Sequence, residues 1–374
     1  MKFNKFALSE LATIKYGKNQ KKVLSESGNV PIYGTGGLMG YATTALYDKP
    51  SVLIGRKGTI GKVKYVEHPF WTVDTLFYTI VNTDIVLPKY LYYVMLLIDL
   101  NNYNEGTTIP SLRTETLNRL EFDIPSLVEQ ETILSCLNPI DEKIALNNAI
   151  NNNLEQQAMA IFNNAIEQSK SVTYVELGSL ADVKGGKRLP KGVNLNSIPN
   201  SHPYIRVRDL NDVVFASLSA NYEYVDDETQ KTISRYITTT DDVLISIVGT
   251  IGLTAIVDKS LNMANLTENC VKVTNLHGIS PEYLLLYLRS QHGSEEIKKG
   301  TVGAVQAKLP IKNIQALSVP LLPQSDLQSL NDTLKVLFNQ LSINVAESKC
   351  LTDIKDSLLP KLMSGELDVS NLDL

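Results

Sequence analysis

Residues 51–67 read "SVLIGRKGTIGKVKYVE", and residues 242–258 read "DVLISIVGTIGLTAIVD". Each is a β-branched run that meets a Gly-Thr-Ile-Gly centre and resumes as a second apolar run. That is the pattern of short strands joined through a glycine turn. A centre that occurs twice, 191 residues apart, marks the chain as a tandem repeat, and the rest of the sequence aligns around it.

Upstream of the two centres stand "ALSELATIKYGKNQKK" (7–22) and "VELGSLADVKGGKRLPKG" (175–192), each an apolar–polar pattern followed by a basic, glycine-containing turn. Downstream, "LPKYLYYVML" (87–96) is matched by "SPEYLLLYLR" (280–289), and both read as helices with proline at the first position. A glycine loop and a further strand close each copy, in "GTTIPSLRTETLNRLEFDIP" (106–125) and "GAVQAKLPIKNIQALSVP" (303–320). The reading is an α+β unit of about 125–150 residues, present twice, within the usual size of a domain.

A long helix follows each unit. From Ile133 the apolar walk runs Leu137, Ile140, Ile144, Asn147, Asn151, Leu154, Ala158 and Ile161. From Leu330 it runs Leu334, Leu337, Leu341, Asn344, Ser348, Leu351, Lys355 and Leu358, matching position by position at an offset of 197. A 3.5-residue spacing held over four heptads is a coiled-coil signature. An antiparallel pairing about Asn147 and Asn344 places Ile133 near Leu358, Leu137 near Ile354, Ile140 near Leu351, Leu154 near Leu337 and Ile161 near Leu330. A parallel pairing through the offset of 197 fits the same pattern, so the walk leaves both open.

The formal charge of −5 hides a strong segregation. Residues 1–65 hold eleven Lys or Arg against three Asp or Glu, whereas 126–168 hold one against six. Residues 169–322 are nearly balanced at 16 against 15, and 323–374 are acidic at four against eight. Both helices are net acidic and the first 65 residues net basic, so the mean hides a positive surface. Cys136, Cys270 and Cys350 stand far apart without a CxxC pair, which argues for a reducing compartment and against a disulfide framework or zinc cluster. The greasiest run, "YLYYVMLLIDL" (90–100), is half the length needed to cross a bilayer, and no signal-peptide pattern opens the chain. The expectation is a soluble, cytoplasmic protein.

Catalytic motifs fail on spacing. A phosphate-binding P-loop needs four residues between its glycine and Gly-Lys, with Ser or Thr after. Five residues separate Gly55 from Gly61, and Val63 follows Lys62. In "YGTGGLMGYA" (33–42) the third glycine of a dinucleotide fingerprint falls one residue late, at Gly40. The one Asn-Pro pair, Asn138-Pro139, is followed by Ile140 inside the first long helix rather than by a methyltransferase-type loop. A binding protein remains. The candidate phosphate and base contacts in the first unit are Lys15, Lys18, Lys21, Lys22, Arg56, Lys57, Lys62 and Lys64. In the second they are Lys184, Lys187, Arg188, Lys191, Arg206 and Arg208, with Gln306 and Lys308 in the later loop. Hairpin turns with solvated lysines are the bland alternative for any one of these residues, but not for the cluster.

The closing elements "IPSLVEQETI" (124–133) and "VPLLPQSDLQSL" (319–330), with "SLLPKLMSGEL" (357–367) near the end, make the whole layout resemble the DNA-specificity subunits of type I restriction–modification systems. The second joint departs from the first, with Asp326 two residues past Gln324 where the first has Glu129-Gln130-Glu131. The resemblance implies a non-catalytic reader in which each unit recognises one half of a split target in double-stranded DNA. Its helices would set the gap between the halves. Two methyltransferase subunits, and restriction subunits where present, would supply catalysis and use S-adenosylmethionine, ATP and magnesium; this chain itself would hold no cofactor or metal. The expected fold is α+β, with two target recognition domains separated and joined by an antiparallel coiled coil in a pseudo-twofold arrangement. The expected boundaries are 1–125 and 169–322 for the recognition domains, 126–168 and 323–363 for the helices, and 364–374 for a tail. A coiled-coil scaffold binding only proteins is the alternative, and the basic cluster in each unit argues against it.

Overall fold

The computed structural model describes residues 1–303 and 306–369. Two residues of the later loop read above, 304 and 305, and the end of the tail, 370–374, lie outside the described residues. The chain divides into two units. One comprises residues 1–146 together with the segment from Glu347 onward, and the other Asn147–Ala346. The long helices, Leu127–Gln168 and Gln324–Ser364, are therefore not bodies of their own, because the division falls inside both.

In the first unit a four-stranded antiparallel sheet takes the order Ala12–Tyr16, Leu76–Val81, Ser51–Gly55, Val63–Val66. The central strand Ser51–Gly55 is buried at every position, and the reason is that both of its faces are covered. Val52 and Ile54 point into a core with Tyr90, Leu91 and Tyr93 of the helix Pro88–Leu96. Leu53 points the other way, into a cluster with Tyr33, Phe70, Leu76 and Tyr78. A second, three-stranded sheet has Val30–Gly34 at its centre, antiparallel to Gly37–Ala42 and parallel to Trp71–Thr72.

The second unit repeats this plan. Val243–Ser246 lies between Cys270–Thr274 and Thr254–Val257. Val243 and Ile245 face the core with Tyr283 and Tyr287 of the helix Pro281–Arg289, and Leu244 faces a separate cluster with Ala255, Leu266 and Cys270. Pro203–Ile205 is likewise antiparallel to one neighbour and parallel to Asn265–Leu266. At one equivalent buried position the copies use different polar chemistry. Ser51, whose hydroxyl donates to the Thr79 carbonyl at 2.7 Å, gives way to Asp242, which forms a buried ion pair with Lys272 at 3.0 Å.

The joint between unit and helix is polar in both copies. Gln130 is fully buried, accepts the Leu87 N–H at 2.8 Å, and donates to the carbonyls of Ile85 and Pro125. Ser126 and Glu129 cap the same helix reciprocally. In the second unit Leu327 fills the position of Gln130, and the latch moves one turn along. Asn331 accepts the Ser280 N–H at 3.3 Å and donates to the Gly278 carbonyl at 3.1 Å. The irregular second joint in the sequence is thus a displaced latch.

Within each unit the two helical segments run in opposite senses. In the first, Ile133, Leu134 and Leu137 share a core with Leu359, Leu362 and Met363, Asp141 pairs with Lys355 at 2.9 Å, and Lys143 pairs with Glu347 at 3.0 Å. In the second, Asn147 Nδ2 donates to the Asn344 carbonyl at 3.5 Å, the Asn344 amide donates to Asn151 Oδ1 at 2.9 Å, and Ala158 and Phe162 lie in the core with Leu330, Leu334 and Phe338. Two expected seam contacts shift. Phe162 is 2% exposed while Ile161 is 36% exposed, and Ile354 is 43% exposed with Lys355 turned inward. An unsupercoiled helix drifts about 20° per heptad from a 3.5-residue walk, so over two heptads from Asn147 the seam turns from Ile161 toward Phe162, while Lys355 rather than Ile354 is the position that the walk from Asn344 itself names.

Candidate nucleic-acid interface

Each unit carries the same loop edge, built from three segments. The first is the basic turn after the opening strand. Gly17 N–H donates to the Leu76 carbonyl at 3.0 Å and Lys18 N–H to Thr72 at 2.8 Å. The Lys18 carbonyl accepts the Trp71 indole N–H at 2.8 Å. In the second unit Gly186 N–H donates to Cys270, Lys187 N–H to Leu266, and the Lys187 carbonyl accepts the Tyr204 hydroxyl at 2.9 Å. Both glycines are required by close approach. A Cβ on Gly17 would sit 2.0 Å from the Val73 carbonyl oxygen, and one on Gly186 would sit 1.9 Å from that of Thr267.

The second and third segments are the Gly-Thr-Ile-Gly turn and the later loop, which are stitched together. Gly58 N–H donates to Pro110 O and Leu112 N–H to Arg56 O, each at 2.9 Å. In the second unit Leu309 N–H donates to Ile247 O at 3.0 Å, and Val248 bridges Lys308. Gly58, Gly249 and Gly252 have φ of 82°, 79° and 88°, a backbone that side chains resist. The repeated glycines let the turn take this conformation in both units.

A cleft opens beside each edge. In the first unit it has a volume of about 310 Å³ and is lined by residues 34–37 together with Tyr33, Thr59, Lys62 and Lys64. The Lys64 ammonium rests 3.9 Å from the centre of the Tyr33 ring, and burial lowers its pKa. In the second unit the cleft has about 340 Å³ and is lined by Arg188, Val248, Glu268, Asn269, Gln306, Ala307 and Lys308.

The structure gathers some candidate residues and separates others. Lys62 joins Lys64, and Arg188 joins Gln306 and Lys308, at the two clefts. Lys18, Lys21, Lys22 and Lys57 are exposed on the first edge, and Lys187 and Lys191 on the second, while Lys15 is exposed on the opening strand Ala12–Tyr16. Arg56 has an internal task, lying 5.0 Å from the Tyr16 ring centre and donating to the Asp74 carbonyl at 2.8 Å. Lys184 pairs with Asp182 at 3.0 Å. Arg206 and Arg208 both engage Glu223, and neither lines the cleft. Asp209 also faces Arg208, yet burial pushes its carboxyl up to about 6. Tyr33, Thr59, Glu268 and Asn269 were absent from the sequence reading. The polar tip "TEN" (267–269) between two apolar strands was the signal for the last two.

A family model described as the type I restriction modification DNA specificity domain matches residues 1–156 and 169–351. The chain belongs to this family of specificity subunits. It is 24% identical over 353 residues to the type I restriction enzyme MjaIX specificity subunit of Methanocaldococcus jannaschii, covering 87% of this chain and 80% of that one. To the HindI specificity subunit of Haemophilus influenzae it is 21% identical over 391 residues, covering 82% and 84%. The fold is similar to the crystal structure of a type I system S subunit from M. genitalium, with a TM-score of 0.59 at 17% identity over 97% and 96% of the two chains. The protein is accordingly a type I specificity subunit whose role is DNA-sequence specificity, in a family that is in general non-catalytic. Among the described residues, no group of three His, Cys, Asp or Glu could hold a metal, and no helix is long and apolar enough to cross a membrane.

Proposed function

We propose that the two loop edges read the two halves of a split DNA target and that the long helices set the gap between them. The observation that carries this reading is repetition of scaffold with change of side chain. The glycine clip, the aromatic donor and the stitched loops recur in both units, while the cleft residues differ: Tyr33, Lys62 and Lys64 in one, Arg188, Asn269, Gln306 and Lys308 in the other. A conserved frame with different donors and acceptors suits two readers of different letters. The exposed lysines of each edge supply sequence-independent attraction to phosphates. The opposed helical segments support an antiparallel coiled coil with pseudo-twofold organisation, and 42 residues make a rod of about 63 Å, against about 34 Å per turn of duplex.

Catalysis in this reading belongs to partners: two methyltransferase subunits on the acidic helices and recognition domains, joined where present by restriction subunits, in the cytoplasm. S-adenosylmethionine, ATP and magnesium would be bound by those subunits. The test is co-purification of the chain with its genomic neighbours and a salt titration of duplex binding by the complex. Binding that weakens steeply with salt and is selective for one split sequence supports the reading. A complex that ignores duplex DNA refutes it in favour of a protein scaffold.

A further inference from the structure

Arg188 is held in a way that phosphate attraction does not explain. Its backbone is fixed on both sides of the basic turn, through Gly186 and Lys187 N–H to the strand carbonyls and through the Tyr204 hydroxyl on the Lys187 carbonyl. Its Nε donates to Glu268 Oε1 at 2.7 Å, and Glu268 is steadied in turn by the Thr267 hydroxyl on its other oxygen at 3.3 Å. The Arg188 side chain is nevertheless 81% exposed, against 31% for Glu268. Among the described residues its hydrogen bonding uses Nε alone, so its two terminal nitrogens keep their donors at the edge of a cleft that Arg188 lines.

Two chemical consequences follow. A guanidinium anchored by Nε presents its remaining donors as a fixed, parallel fork, and that fork matches two acceptors side by side. A carboxylate 2.7 Å away also offsets its charge and repels phosphate, so the site is poorly built for backbone contact. In the major groove only guanine offers paired acceptors, O6 and N7, on one base. We propose that Arg188 reads a guanine in the half-site recognised by the second unit and that Glu268 is its positioning residue. The inference rests on the two-reader reading above and adds to it one named base and one named side chain.

The test uses the full complex with its partner subunits, comparing wild type, Arg188→Ala and Glu268→Gln. Methylomes give the motif, and binding to the wild-type duplex and to its single-base variants gives the discrimination at each position. Arg188→Ala is expected to relax one G·C position in one half-site by about 10–100-fold, to leave the other half-site intact, and to leave the salt slope unchanged. Glu268→Gln, which keeps an oxygen for Nε and removes the charge, is expected to relax the same position less. An unaltered motif in Arg188→Ala overturns the proposal. So does uniform weakening across all sequences with a salt slope reduced by about one, the mark of a phosphate contact. If the wild-type complex shows no motif that depends on this chain, the two-reader reading itself falls and takes the inference with it.

Discussion

The Asp141→Asn variant probes how the first recognition unit is fastened to its helices. Asp141 accepts the Tyr93 hydroxyl, and its carboxylate faces Lys355 at 2.9 Å and Lys89 at 3.6 Å. The three charged side chains are 18–23% exposed, between the regime of surface pairs, worth about 0–1 kcal/mol, and that of buried pairs, whose breakage costs about 3–5 kcal/mol. Neutralising Asp141 leaves two ammonium groups facing each other, and we expect a loss of about 2 kcal/mol. For a unit of this size that is about 4–8 °C in Tm. Burial pushes the Asp141 carboxyl up, but the Tyr93 hydrogen bond and the Lys355 and Lys89 charges outweigh it and hold the pKa below the usual 3.8. A depressed carboxylate contributes stability above its unfolded pKa and loses it as pH falls through the folded value. The gap between wild type and Asp141→Asn should therefore be constant from pH 5 to 8 and close below about pH 4. Thermal denaturation across that range, with a double-mutant cycle to Lys355→Met, measures both effects. A shift under 1 °C with no coupling to Lys355 would refute the reasoning.

Asp209 should behave oppositely. Because burial raises it to about 6, Asp209→Asn should stabilise the second unit by about 1 kcal/mol at pH 8 and confer nothing at pH 4, read by the same melts. Gly17→Ala and Gly186→Ala each drive a Cβ into a carbonyl and should cost about 1–3 kcal/mol, and each should weaken recognition of one half-site only. Gln130→Ala removes the acceptor of the half-buried Leu87 N–H and should cost about 1 kcal/mol, measured by denaturant unfolding.

Much of the architecture is legible because it rests on short-range pattern. Strands covered on both faces read as apolar runs, as 243–245 does, and proline at 88 and 281 opens each helix. The seam along the helices was readable near its centre, where 3.5 and 3.6 residues per turn agree, and slipped at Ile161, where they no longer do. Long-range partnerships were invisible. Nothing local to Arg188 announces Glu268, eighty positions on, and nothing in Arg206 and Arg208 shows that Glu223 engages them. Charge can be counted in a sequence, but whether a charge is free to meet DNA depends on which carboxylate folds against it. The Gln130 latch is a similar case: Glu129-Gln130-Glu131 stands out in the sequence, but the three hydrogen bonds of Gln130 belong to the fold.

The most direct measurement is a methylome comparison of the complex carrying cleft variants in one unit at a time, Lys62→Ala with Lys64→Ala against Gln306→Ala with Lys308→Ala. Two independent readers predict a split motif in wild type, with each variant altering the letters of one half and leaving the other half and the gap unchanged. Variants that alter both halves together, or neither, would contradict the claim that each loop edge reads its own half of the target.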